Sequence, residues 1–182
     1  MTLSKSLLRI AIATALVLLI PLVLMQLNKE VVWTISDFVI GGALLFGTGL
    51  AYVLVARMGS NGSYRLGAGV AVAAGLLLIW GNLAVGIIGN EDNPANLLFG
   101  AVLAVAFVGA LVARFQPLGM SRAMFTAAFT QFLVPLVAAV IWQPEVNLGM
   151  LYVLALNSIF AGIWVASGWL FRRAGRPAQA AS

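Results

Sequence analysis

Long apolar runs separated by short polar segments dominate the pattern of the chain. Six of these runs are long enough to cross about 30 Å of hydrocarbon as helices of roughly 20 residues. Charged side chains occur only near their ends, at Arg9, Asp37 and Arg114. The runs do not alternate between polar and apolar residues, as membrane β-strands do. The predicted spans are residues 6–26, 35–56, 66–88, 95–115, 123–142 and 148–171.

Short connections limit how these spans can be arranged. Turn residues such as Asn61-Gly62, Pro117 and Pro144 mark them. Helices joined so closely pack as antiparallel neighbours. We therefore predict an all-α fold, a polytopic transmembrane helical bundle with six spans, forming a single transmembrane domain over residues 1–182. The first span lacks a cleavage site for a signal peptidase, so we expect it to be retained.

Composition supports a membrane setting. Of the 182 residues, 63% are hydrophobic and 8% are charged. A soluble domain has about 45–50% apolar and about 25% charged residues. The lipid bilayer is therefore the first predicted partner.

Basic residues predict the orientation. With the N-terminus in the cytoplasm, Lys29 alone of the ten bases falls outside. The bases that fall inside are Lys5, Arg9, Arg57, Arg65, Arg114, Arg122, Arg172, Arg173 and Arg176. All five acids fall outside. The positive-inside rule thus predicts that both termini are cytoplasmic.

Missing residue types exclude several kinds of chemistry. The chain has 0 Cys and 0 His, which removes thiolate nucleophiles, disulfides and histidine-based metal, haem and acid–base sites. The bases are spread along the chain and form no aromatic-flanked patch, so we expect no nucleic-acid partner. We predict no enzyme activity, no catalytic residue, no cofactor and no bound metal.

Two segments carry helix-start signals. Thr34 and Asp37 have the spacing of a capping box, and Asn93-Pro94 suits a capped helix start. The alternative for the acidic residues is an outer-face site that attracts a cation or solute. Its candidates are Asp37, Glu91 and Asp92.

A few polar side chains lie deep within predicted spans, where each must find a partner. The candidates for an intramembrane polar site are Asn82, Gln131 and Asn157. Hydrogen bonding between helices is one interpretation, and a permeation path or ligand pocket is the other.

Small residues recur at four-residue steps and would allow close approach of helices. The stripes are Gly67, Ala71 and Gly75; Ala43, Gly47 and Ala51; and Gly162 and Ala166. Leu54-Val55-Ala56-Arg57 also recurs as Leu111-Val112-Ala113-Arg114 at an offset of 57 residues. That offset indicates either a repeated helical hairpin or simply the length that any such hairpin requires.

Three segments carry a family resemblance: residues 31–38, 45–52 and 85–96. They resemble a group of small bacterial multi-spanning inner-membrane proteins, and the resemblance extends over nearly the whole chain, including Pro21 and Met25-Gln26. It implies a bacterial inner membrane, and it implies no activity and no site residue.

Two functional hypotheses remain at this point. The first is a structural or accessory subunit or scaffold without catalytic chemistry, working with a membrane-protein partner or as a homo-oligomer. It is favoured by the lack of ionisable residues deep in the spans, which usually mark pumps and coupled transporters. The alternative is a small channel or facilitator for a small solute or ion.

Overall fold

A computed structural model of the chain describes residues 3–28, 30–59, 61–142 and 148–176. These residues form six α-helices and no β-strand, and all six helical segments are long and apolar enough to cross a membrane. The helices are α1 (Leu3–Leu27), α2 (Ile35–Ala56), α3 (Gly62–Ala84), α4 (Phe99–Val112), α5 (Pro117–Trp142) and α6 (Leu148–Ala174). A 3₁₀ helix, Pro94–Leu98, leads directly into α4. The all-α class and the six predicted helices are confirmed. Lys29 and the predicted turn at Pro144 lie outside the described residues.

Contacts group the chain into two compact units, Met1–Leu54 and Val55–Ser182. In the first unit, glycines of α2 face side chains of α1. A Cβ at Gly49 would lie 2.7 Å from Cγ2 of Ile10, and a Cβ at Gly42 would lie 3.4 Å from Cδ1 of Leu18. Small residues therefore let these two helices approach each other closely.

The second unit is built around α5 and α6. Helix α6 packs against both α3 and α5, and α5 also packs against α4. The large side chains at its centre are almost fully buried: Tyr64, Leu78, Phe99, Trp164 and Phe171. The ring of Tyr64 meets that of Phe171 edge to face, with centroids 5.0 Å apart. Gly67 permits this contact, because a Cβ there would lie 3.3 Å from Phe171.

Hydrogen bonds fix one end of this unit. Each joins a polar side chain of one element to a main-chain carbonyl of another, a contact favoured in a medium without water. Asn61 Nδ2 donates to Ala174 (3.0 Å), the Tyr64 hydroxyl donates to Phe115 (2.8 Å), and Ser167 Oγ donates to Gly67 (2.8 Å). The sequence marked Asn61 only as a turn residue and gave no signal for Tyr64 or Ser167, because each looks like an ordinary polar residue of a helix.

Helix α3 begins and ends four residues before its predicted span. It begins at Gly62 because Asn61 accepts a hydrogen bond from the main-chain N–H of Tyr64 at 2.9 Å, which caps the helix. It ends at Ala84, and Gly86 then adopts a φ of +74°. Gly86 takes this left-handed conformation readily because it lacks a Cβ.

The connection between α4 and α5 is shorter than predicted. Helix α4 ends at Val112, and the next turn places Arg114 and Phe115 at φ values of 47° and 58°. A left-handed conformation costs a residue with a side chain roughly 1–2 kcal/mol. The Tyr64 hydroxyl holds the Phe115 carbonyl in this turn. Helix α5 then begins at Pro117, whose missing N–H is not needed in the first turn.

Candidate functional site

Two of the three candidate intramembrane amides form a direct pair. Gln131 lies midway along α5, and Asn157 lies on α6 where that helix packs against α5. Gln131 Nε2 donates to Asn157 Oδ1 at 2.8 Å, and Asn157 Nδ2 donates to the carbonyl of Val153 at 2.9 Å. Both side chains are buried, at 0% and 1% exposure. The pair therefore hydrogen-bonds α5 to α6 across their interface.

The pair leaves one acceptor unsatisfied. Gln131 Oε1 has no hydrogen-bond partner among the described residues. Pro135 follows one turn later, and its ring nitrogen cannot donate to the main-chain carbonyl of Gln131. Gln131 in the middle of α5 thus has two oxygen atoms, Oε1 and its main-chain carbonyl, whose usual or possible donors within α5 are missing.

Within the described residues, Asn82 makes no hydrogen bond to Gln131 or Asn157. Its Nδ2 donates to the carbonyl of Leu78, one turn back on α3, at 2.7 Å. Its Oδ1 is buried and has no partner within the described residues. The grouping of Asn82 with Gln131 and Asn157 in one site therefore finds no support in the hydrogen bonds.

A cavity of about 540 Å³ lies near the Gln131–Asn157 pair. It is formed by the second half of α5, the first half of α6 and the segment after α3, and most of its lining is apolar. Pro135 and Val153, each four residues from a member of the pair, lie in its wall, but the three candidate amides do not. The cavity can accept an apolar group, and none of the three amides is among the described residues that line it.

Among the candidate acidic side chains, Asp37 caps the start of its own helix. Thr34 donates from both its main-chain N–H (2.7 Å) and its hydroxyl (2.8 Å) to Asp37 Oδ2. Asp37 N–H donates to Thr34 Oγ1 at 3.4 Å. The predicted capping box is confirmed. Glu91 and Asp92 are exposed, and no three acidic, His or Cys side chains cluster for metal binding in the described ranges.

Asn96 organises the segment between α3 and α4, and sequence reasoning missed it. Its Oδ1 accepts from the N–H groups of Ile87 (3.1 Å) and Ile88 (2.9 Å). Its Nδ2 donates to the carbonyls of Ile88 (3.2 Å) and Asn90 (2.6 Å). All four hydrogen-bonding positions of this amide are used. The predicted Asn93 cap is confirmed nearby, since Asn93 Oδ1 accepts from Ala95 N–H at 2.9 Å.

Comparison with protein-family models, with curated proteins and with solved structures finds no match for this chain.

The hydrogen bond between Gln131 and Asn157 gives a measurable prediction. Gln131→Leu and Asn157→Leu should each destabilise the protein by about 1–3 kcal/mol, because each leaves a buried polar group without its partner. The double variant should lose less than the sum, with a coupling energy of about 0.6–1.7 kcal/mol, as for other interhelical pairs in membranes. Unfolding in mixed micelles measures all three free energies.

Asn82→Leu is the matched control, because Asn82 Oδ1 already lacks a partner within the described chain. We expect a smaller loss for it than for either single variant of the pair. Strict additivity of Gln131→Leu and Asn157→Leu would contradict an energetically coupled pair.

Proposed function

We propose that this protein is an accessory or scaffold subunit of a bacterial inner membrane, without catalytic chemistry of its own. The observation that carries the proposal is a small-residue face left exposed on α6. Ser158, Gly162 and Ala166, spaced by four residues, are all exposed, and a Cβ at Gly162 would meet nothing within 4 Å. Such a face suits a close-packed helix from a partner, either another membrane protein or a second copy.

The other two small-residue stripes, on α3 and α2, differ in burial. Gly67 is buried, and Ala71 and Gly75 are partly buried, so this stripe serves packing within the chain. Ala43, Gly47 and Ala51 on α2 are exposed, and a Cβ at Gly47 would also meet nothing within 4 Å. Two of the three stripes are therefore exposed, one in each unit.

Antiparallel packing of neighbouring helices is part of the proposal. Contacts within each unit support it, because residue numbers rise along one helix while they fall along its neighbour. The supporting contacts are Ile10 with Gly49 and Leu18 with Gly42, Asn61 with Ala174 and Gly67 with Ser167, Gly109 with Ala123 and Ala113 with Gly119. Six spans that cross in alternating directions would have both termini on one side. The basic residues favour the cytoplasm for that side.

A small facilitator is the second candidate, and one observation favours it. Gln131 Oε1 is a buried acceptor without a partner in the described residues, and the apolar cavity begins one turn away at Pro135. A hydrogen-bonding solute passing this point would find an acceptor there. The accessory role has better support, because Gln131 Nε2 and Asn157 are bonded to each other and both side chains are buried.

Native mass spectrometry of protein extracted in mild detergent tests the proposal. We expect the wild type to retain a bound protein subunit. Gly162→Leu should release it, because the larger side chain holds the helices apart. Ala101→Leu is the control: Ala101 is also exposed, but its neighbours at four-residue steps are the larger Leu97 and Val105, which do not form a small-residue face.

A wild-type protein that is monomeric under these conditions would contradict the accessory role. Solute flux into proteoliposomes above that of empty liposomes, lost in Gln131→Leu, would favour the facilitator instead.

A further inference from the structure

The end of α6 and the two residues after it carry a concentrated basic face beside a tryptophan, although the sequence predicted no patch of bases flanked by aromatic residues. Arg172 and Arg173 follow Trp169 by three and four residues, the steps that share a side of a helix, and Arg176 lies two residues beyond the end of α6 at Ala174. With Leu170 they line a groove of about 420 Å³. Phe171 and Ala174 lie on the opposite side and are buried. The basic face therefore points away from the packed core.

The helices that pack around these three guanidinium groups in the described part of the unit supply no carboxylate to neutralise them. Helices α3, α5 and α6, which pack together in this unit, contain no Asp or Glu anywhere along their lengths. Two arginines in a final helical turn are enough to complement the partial negative charge of the helix end. The third charge and the groove are features that this simple role does not require.

An aromatic side chain forms part of the same groove. Trp169 is 55% exposed, and Cζ of Arg172 lies 5.7 Å from the centroid of its ring. Exposed tryptophans at the ends of membrane spans lie at the level of lipid headgroups. The groove thus combines three cationic side chains with the apolar surfaces of Trp169 and Leu170.

We propose that this groove binds the headgroup of an anionic glycerophospholipid of the surrounding bilayer. Arg172, Arg173 and Arg176 hold the phosphate, since a guanidinium group binds phosphate oxygens through paired N–H donors. Trp169 and Leu170 contact the glycerol and the first part of the acyl chains. Charge complementarity selects an anionic lipid over a zwitterionic one. The site needs a membrane but no protein partner, so it stands independently of the accessory role.

Native mass spectrometry of the full chain, with phosphatidylglycerol or phosphatidylcholine added to the micelles, tests this site. We expect the wild type to retain phosphatidylglycerol in preference to phosphatidylcholine. The triple variant Arg172→Gln, Arg173→Gln, Arg176→Gln should bind phosphatidylglycerol roughly a hundredfold more weakly, because each basic residue near an anionic surface adds about 1 kcal/mol. Its thermal stability in phosphatidylcholine alone should be unchanged, because the three side chains are exposed.

A second triple variant, Arg65→Gln, Arg114→Gln, Arg122→Gln, makes the same change in net charge at other exposed arginines. It should keep the preference for phosphatidylglycerol. Equal losses in both triple variants would mean a diffuse charge effect and would overturn the site, as would an unchanged first triple variant. Glycerol phosphate added at the same concentration should not compete, and full competition by it would identify a free anion as the ligand instead of a lipid.

Discussion

Asn96→Ala is expected to destabilise the protein by about 2–5 kcal/mol, the largest effect that we expect from any single side chain. The substitution removes the acceptor for two main-chain N–H groups, those of Ile87 and Ile88, and the donor for two carbonyls. Ile87 and Asn96 are buried. A buried donor left unpaired costs about 1–3 kcal/mol. Thermal unfolding in detergent measures the loss.

Hydrogen exchange gives this prediction a local readout. The amides of Ile87 and Ile88 should be protected in the wild type and should exchange faster in Asn96→Ala. Asn90→Ala is the control, since its side chain is exposed and only its main-chain carbonyl accepts from Asn96. Unchanged protection of both isoleucine amides in Asn96→Ala would contradict the role given to this side chain.

Gly86 adds a constraint to the same segment. Its φ is +74°, and a Cβ there would lie 2.2 Å from the main-chain carbonyl of Asn90. The fold of residues 86–93 thus depends on the absence of a side chain at one position and on a fully bonded amide at another. Together they account for the end of α3 at Ala84, where hydropathy predicts four more helical residues.

Hydropathy predicted the helices because their main requirement is general: an apolar segment of sufficient length that satisfies its own main-chain hydrogen bonds. The capping box of Thr34 and Asp37 and the cap at Asn93 were predictable for a similar reason, since their partners lie two or three residues away. Asn96 reaches back eight or nine residues to Ile87 and Ile88. No periodic pattern in the sequence predicts a hydrogen bond over that separation.

In the candidate site, too, the sequence predicted the local requirement but not the long-range contact that meets it. Depth in the membrane identified Gln131 and Asn157 as amides that need partners, but only the register of α5 against α6 determines that they bond to each other. Asn82 also carries an amide, but α3 ends at Ala84, which places Asn82 in the last turn of its helix, and it bonds to its own helix. Side-chain type and position in the helix therefore predicted that a buried amide needs a hydrogen-bond partner. The packing of the helices determined which residue is that partner.

Gly109→Ala is expected to destabilise the protein by about 1–3 kcal/mol, the usual cost of overfilling a packed interface. A Cβ at Gly109 would lie 2.7 Å from the Cβ of Ala123 and 3.3 Å from its Cα. Carbon atoms attract each other best at about 3.5–4.0 Å, so α4 must move away from α5. Gly100→Ala, on the same helix, is the matched control, because a Cβ there would meet nothing within 4 Å.

Removing the clashing atom from the other helix should reverse the effect. In the double variant Gly109→Ala, Ala123→Gly, the methyl group passes from α5 to α4 and the 2.7 Å contact disappears. We expect this variant to be more stable than the sum of its single changes predicts, by unfolding in mixed micelles. Additive losses, or equal losses for Gly109→Ala and Gly100→Ala, would mean that the contact between Gly109 and Ala123 does not set the distance between these helices.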